Sequence, residues 1–332
     1  MTHPIDELLA AYGREPVVAT TPADPSFTVI VRTQGHRPDS LNEALDAISA
    51  QIEATFDMVV VVHGDARAVE AVRAAMGSRA DHPDLLLRSV DGGGRARPLN
   101  TGLDAARADY VCFLDDDDLV MENWLATFAA GARQAPATVV RAVTLSQAWT
   151  TDGGRQPVRP TGDVERPFPD RFDLLAHMSL NLTPICSVAF PRAAIVELGL
   201  RFDEDLAVYE DWEFLLRAAM ALGVTSLPEA TSLYRRLDHG NADSVEDETV
   251  WKTTHAAVID RFSARPVLLP VGDARRLAGA HFEIGGGSRH ETGLRSAQTT
   301  IDELTRSPVR WLRAFARRVT GALRHRIAAR RP

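Results

Sequence analysis

The sequence is poor in the residues that would tie it to several large classes of protein. It has two cysteines in 332 residues, Cys112 and Cys186. They lack metal-ligand spacing and sit in apolar surroundings, which reads as two reduced core thiols rather than a disulfide framework or a zinc site. Lys252 is the single lysine, so chemistry that needs a lysine has one candidate. No run approaches the roughly eighteen apolar residues of a membrane span. The loop after the first strand-like segment lacks G-x-G-x-x-G, which argues against a dinucleotide site. Met1 to Ala11 carries Asp6 and Glu7 and no basic stretch, so it does not read as a signal peptide. The expected compartment is the cytoplasm.

What is present is ordinary in bulk and uneven in detail. Hydrophobic residues make up 45% and charged residues 25%, the balance of a soluble globular chain with room for one large domain with appendages or two domains. The net charge is −8, yet nine arginines and no acid lie between Arg306 and Pro332, leaving about −17 on the rest. Such asymmetry marks a basic tail.

One stretch organises the chain. Tyr110-Val111-Cys112-Phe113-Leu114 reads as a buried strand, and Asp115-Asp116-Asp117-Asp118 follow directly. Adjacent carboxylates repel one another, so something must offset them. A divalent cation is the usual answer. Oxygen-only ligands favour Mg²⁺ or Mn²⁺, with a diphosphate completing the shell. The end of a strand in an α/β sheet is where such ligands bind. A solvated turn capping the next helix would account for one or two of the acids, not four.

Around this stretch the pattern alternates strand and helix. Phe27 to Val31 is a strand, Arg32 to Pro38 its loop, and Ser40 with Glu43 a capping box opening a helix. Phe56 to Val62 is a strand buried on both faces, ending at His63-Gly64-Asp65. Asp65 reads equally as a nucleotide contact or as a helix N-cap. Leu85 to Val90 is a short strand that leads into a Gly-rich stretch, Asp91 to Gly102, whose arginines suit phosphate, and then a helix ending near Ala108. Met121 to Gln134 is a helix, Thr138 to Trp149 a strand, and Thr150 to Pro169 a mobile lid or acceptor loop. Asn181 to Phe190 is a strand, Pro191 to Leu198 a short helix, and Thr225 to Tyr234 a further strand. Glu210-Asp211-Trp212 opens another helix. Acids there suit the helix dipole, or Asp211 is a general base facing the same pocket as Asp117. His239, after the last strand, is either a surface residue or a metal or phosphate ligand.

In this order the signals resemble a family 2 glycosyltransferase, an inverting enzyme of the GT-A fold. The residues that carry the likeness are Val31-Arg32-Thr33, Asp65, Arg97, Asn100-Thr101-Gly102, Phe113 to Asp118 and Glu210-Asp211-Trp212. It spans roughly Phe27 to Asn241. Arg32-Thr33-Gln34 stands where the family usually has Pro-Thr-Tyr/Phe, and His63-Gly64-Asp65 where it has Asp-Asp-Gly-Ser. Both departures fall at the nucleobase pocket the resemblance implies. It implies a Rossmann-like, mostly parallel sheet flanked by helices. It also implies a nucleotide-diphosphate sugar as donor and a glycan or lipid-linked saccharide as acceptor, as in polysaccharide biosynthesis. Asp117, Asp115 and His239 would then serve the metal, and Thr33, Asp65, Arg97, Asn100, Asp115 and Asp116 the donor. Asp211 would be the base, with Glu210 as the alternative.

The domain limits expected are an N-terminal helix and linker over 1–26, the catalytic domain over 27–245, a helical extension over 246–305 and a basic amphipathic helix over 306–332. In that last helix Trp311, Phe315, Val319, Leu323 and Ile327 form a stripe with arginines off it. This is the composition of an interfacial membrane helix or of one that docks on the acidic body or a second subunit. Nucleic acid is not expected as a partner, because the body is acidic. Two rivals remain. A haloacid-dehalogenase-type phosphohydrolase would need Lys252 as its lysine, and a GT-A domain could bind a nucleotide sugar without turnover. An EF-hand lacks its loop glycine and ligand spacing.

Overall fold

The computed structural model describes residues 22–152, 156–237, 248–263, 267, 269 and 272–277. The chain divides into two compact units, Met1–Leu268 and Leu269–Pro332. His239, the N-terminal helix expected before residue 22 and the basic segment 307–331 lie outside the described residues. Among the described residues no helix is long and apolar enough to cross a membrane.

The β-branched runs become strands. In chain order these are β1 (Ser26–Thr33), β2 (Thr55–His63), β3 (Leu85–Val90), β4 (Tyr110–Asp115), β5 (Leu119–Val120), β6 (Val139–Thr151), β7 (Pro157–Pro160), β8 (Val188–Pro191) and β9 (Val224–Leu237). They form one sheet in the order β3-β2-β1-β4-β8-β6-β9-β5, with β7 paired to β6. β3, β2, β1 and β4 run parallel, as do β6 and β9. β8 is antiparallel to β4 and β6, and β5 to β9.

The period-2 alternation of each strand sends its residues to two separate cores. Val29, Val31, Val60, Val62, Cys112 and Leu114 enter one, and Ile30, Val59, Val61, Val111 and Phe113 the other. The first core is closed by α1 (Pro38–Ser49), α2 (Ala66–Met76) and, beyond α3 (Ala96–Ala105), by α4 (Trp124–Gln134). α3 covers the second core together with α5 (Glu210–Leu222). α6 (Glu248–Ser263) packs Val258 and Phe262 against Trp212 and Leu216 of α5, so it belongs to the first unit. Both thiols are free and fully buried, as expected.

Several boundaries differ from the sequence reading. α1 starts at Pro38, whose fixed φ suits the first helical position. Ser40 therefore sits inside the helix and is not its cap; its hydroxyl instead donates to the Asp116 carbonyl at 2.6 Å. α4 starts at Trp124 rather than Met121, because Leu119 and Val120 pair with Leu233 and Ser232 of β9. Of the strand expected over Asn181 to Phe190 only the end forms, since Ile185–Ser187 behind Pro184 is a 3₁₀ turn. The segment expected to be a free loop holds β7 and a bridge from Glu165 to Ser146.

Gly102 fixes how closely α3 approaches the sheet. A Cβ there would overlap the Ile30 side chain, which is itself fully buried. Gly102→Ala is expected to cost about 1–3 kcal/mol through overpacking, read as a lowered urea midpoint. An unchanged midpoint would show that α3 is free to lift off β1.

Candidate active site

The parallel register places the site. Arg32 lies directly beside Asp115 across the β1–β4 pair, and Thr33 is one residue further along β1. The acid cluster thus begins where β4 ends, at the C-terminal edge of the parallel strands, the edge where α/β sheets bind ligands.

Arginines, not only a cation, offset the four carboxylates. Arg32 forks onto Asp115 through Nε to Oδ1 at 2.8 Å and Nη2 to Oδ2 at 2.6 Å. Its Nη1 reaches Glu210 at 3.0 Å, and Arg95 Nε donates to the same Glu210 oxygen at 2.9 Å. Arg37 donates to Asp116 at 3.0 Å and stands 3.7 Å from Asp117. The Thr33 hydroxyl donates to Asp116 at 2.5 Å. Fully buried Arg235 gives its backbone N–H to Asp118 and its Nε to the Asp117 carbonyl. Its other nitrogens hold Glu43 and the Ser40 hydroxyl.

The balance within this group falls on the acid side. Seven carboxyls, those of Glu43, Asp115 to Asp118, Glu210 and Asp211, share the guanidiniums of Arg32, Arg37, Arg95 and Arg235, the last paired with Glu43. Burial alone would raise Asp115, but Arg32 outweighs it and holds this carboxyl below its usual range. Burial pushes Asp118 well up, helped by Asp117 and Asp115. Burial also raises Asp116 despite Arg37 and Thr33. Asp211 is pushed up to about 6, first by burial and then by the charge of Glu210.

Two cavities meet at the cluster. The smaller, about 40 Å³, is lined by Thr33, Gln34, Arg37, His63 and Asp116. The larger, about 270 Å³, is lined by Asp118, Asn181, Tyr209, Asp211, Tyr234 and Trp251 among others. Arg95, Asp115 and Asp117 border both. Asp211 and Asp117 therefore face one cavity, the arrangement that a general base would require. Asn181 stands over Asp211 at 3.4 Å.

Comparison with known proteins agrees with this layout. The glycosyl transferase family 2 model matches residues 28–191. The chain is 29% identical over 250 residues to the succinoglycan biosynthesis protein ExoO of Rhizobium meliloti, covering 68% of this chain and 67% of that protein. It is 25% identical over 228 residues to the uncharacterized glycosyltransferase YwdF of Bacillus subtilis, covering 66% and 78%. In structure it is similar to S. aureus TarS 1-349 in complex with UDP-GlcNAc, with a TM-score of 0.53, 20% identity, and 73% and 68% of the two chains covered. Residues 28–191 match the family 2 glycosyltransferases. The architecture of the chain is the GT-A fold, a mostly parallel sheet flanked by helices.

Within this family frame the expected residues divide. Thr33, Asp115, Asp116, Asp117, Glu210 and Asp211 come together at the two cavities. Asp65 is exposed and caps α2, accepting from the backbone of Arg67 and Ala68. Arg97 is exposed on α3. Asn100 is buried, its amide spent on Phe202 and Glu204, so it braces the loop that leads to α5. Lys252 is exposed and pairs with Glu248 one turn back. Sequence reasoning did not assign Arg32, Arg37, Arg95 and Arg235 as partners of the acids. Their only signal was arginine near the ends of β1 and β9 and just before α1 and α3, with nothing to say which carboxylate each would meet.

Among the described residues no three His, Cys, Asp or Glu side chains form a metal cage. The acid surplus still fits a cation, provided that substrate oxygens complete its shell. Asp117 borders both cavities, whereas both Asp115 oxygens are engaged by Arg32.

Arg32→Met is expected to lower stability by about 3 kcal/mol, the scale for breaking a buried pair, measured by urea unfolding at neutral pH. The depressed carboxyl of Asp115 contributes stability above its unfolded value and loses it as pH falls. The deficit should therefore shrink below about pH 4. A deficit equal at all pH values would mean that the pairing with Asp115 carries none of it.

Proposed function

We propose that this glycosyltransferase moves a sugar from a nucleotide-diphosphate donor to a hydroxyl of a glycan or lipid-linked saccharide in one inverting displacement, with Asp211 as general base. The observation that carries this reading is that Asp211 and Asp117 line the same cavity, while neighbouring Glu210 is held by Arg32 and Arg95.

The two adjacent acids take different parts. Glu210 is almost wholly buried and serves two guanidiniums, which leaves it poorly placed to accept a proton from substrate. Asp211 is partly exposed toward the cavity, and its affinity for a proton is raised by burial and by Glu210. A base whose value approaches the working pH is efficient, because it is ionised at rest yet takes a proton readily. Asn181 orients its carboxylate. Arg95 borders both cavities beside the acid cluster, where a diphosphate would lie, and guanidinium suits phosphate oxygens. Thr33, Arg37, His63 and Asp116 line the smaller cavity, which would take the nucleoside. Mg²⁺ or Mn²⁺ held at Asp117 and by the diphosphate would neutralise the leaving group. A UDP-sugar heads the donor panel, since TarS binds UDP-GlcNAc. The name of ExoO makes a growing polysaccharide a reasonable acceptor to try.

The test is a donor panel with released nucleoside diphosphate as readout, with and without Mn²⁺. Asp211→Asn should lower kcat by about 10²–10⁴ with donor KM little changed, and Asp117→Ala should abolish metal-dependent release. Full activity in Asp211→Asn would sink the assignment of the base. The product anomer, read by NMR, should be inverted.

The pH dependence gives a separate check. Asp211 works when ionised, so kcat should fall on the acid side with an apparent pKa of about 6. Glu210→Gln removes the neighbouring negative charge and leaves Arg32 and Arg95 to act on Asp211, so that limb should move to lower pH. A limb that stays in place would mean that another group titrates.

A further inference from the structure

The wall of the larger cavity farthest in sequence from the acid cluster comes from segments beyond the family-matched residues 28–191. Tyr209 supplies part of it and Trp251 of α6 another. Tyr209 is held in an unusual way. Its backbone is left-handed, with φ 63 and ψ 20, a region that a residue with a Cβ seldom occupies. Such conformations persist only where the surroundings over-determine them, and they cluster at functional sites. Here the surroundings are rings. Tyr209 stands edge-on to Trp212 at 5.4 Å, to Trp251 at 5.1 Å and 88°, and to His255 at 5.8 Å. His255 stacks on Trp212 at 5.1 Å, and Trp212 Nε1 donates to the His177 carbonyl at 2.7 Å. Tyr209 and Trp251 thus make a right-angled aromatic corner, anchored from behind. Asp211 follows Tyr209 by two residues and lines the same space with Asn181 and Tyr234.

We infer that this corner is the acceptor subsite and that it takes a neutral sugar ring, seated on Tyr209 and Trp251 with the attacking hydroxyl toward Asp211. The inference rests on the transferase reading given above and names its acceptor. The cavity has two unlike sides. One is aromatic and suits the C–H face of a pyranose. The other holds carboxylates, an amide and the Tyr234 phenol, which suit hydroxyls. Burial, then Asp118 and Asp117, push the Tyr234 hydroxyl up, so it stays protonated and able to donate. An alkyl chain would strand these polar groups without partners. Away from the Asp117 end given to the donor diphosphate and its cation, a second phosphate would meet Glu210 and Asp211, and among the described lining residues Arg95 is the one arginine or lysine and is already on Glu210. Carboxylates at that density repel an anion.

The test uses the full chain and two probe sets, methyl pyranosides with their disaccharides, and decyl phosphate. Binding is followed by saturation-transfer NMR in the presence of UDP. The wild type should bind at least one saccharide in preference to decyl phosphate. Trp251→Ala and Tyr209→Asn should each weaken that binding at least tenfold, and Trp251→Phe by less. Asn tolerates the left-handed backbone, so Tyr209→Asn removes the ring while keeping the chain path, and it decides the matter if Trp251→Ala fails to fold. UDP affinity should be unchanged in all three variants. Preference for decyl phosphate, or saccharide affinity unchanged in both ring-deleting variants, overturns the inference. Equal loss of UDP and saccharide in Tyr209→Asn overturns it too, since the ring would then be structural. If UDP and other nucleoside diphosphates fail to bind the wild type while the saccharide result holds, the donor reading fails and the subsite stands.

Discussion

Four consecutive buried or half-buried carboxylates at the end of one strand are the constraint to which the rest of the site answers. In low dielectric each would raise the proton affinity of the next, and at Asp118 burial, then Asp117 and Asp115, push in that direction. The chain meets the problem from three directions. Arg32 comes from the neighbouring strand, Arg37 from the turn into α1, and Arg235 from β9 on the far side of the sheet. Arg32 and Arg235 also bind groups outside the cluster, so that compensation of charge doubles as bracing between segments. Arg32 joins the acid cluster to the start of α5, and Arg235 joins it to Ser40 and Glu43 of α1. Carboxyl groups still outnumber guanidiniums where the two cavities meet.

The same economy separates two neighbouring acids. Glu210 and Asp211 begin one helix, where sequence alone offers two candidate bases or two dipole-stabilising caps. Helical geometry turns successive side chains about 100° apart. One meets the arginines and the other the cavity. The residue just before them, Tyr209, caps α5 in the left-handed conformation.

The framework was legible because it rests on local patterns. Runs such as Met58 to Val62 admit few structures other than a strand covered on both sides, and the jump from Leu114 to Asp115 marks a strand end without further help. The acids in their order carried the family resemblance, and Asp117 and Asp211 do share a cavity. Tertiary partners were not legible. Arg97 and Arg95 look alike in a Gly-rich loop, but α3 begins at Ala96, which leaves Arg97 on an exposed face and Arg95 at the cavities. Ser40 followed by Glu43 has the pattern of a capping box, yet both are drawn to Arg235, 195 and 192 positions away. Trp251 had no pattern to single it out, since its role depends on where α6 lies against α5.

The ion pairs at the site are distant along the chain. Arg32 meets Glu210 across 178 positions and Asp118 meets Arg235 across 117. Closing loops of that length is slow relative to forming helices and neighbouring strand pairs. During synthesis the acid cluster therefore emerges well before Arg235 exists. Asp117 and Asp118 can be buried only after β9 has been made and inserted beside β6. The parallel half of the sheet is able to pair earlier, whereas the reactive centre is among the last parts to consolidate. A nascent chain halted before Arg235 would hold its sheet edge open and its carboxylates in water.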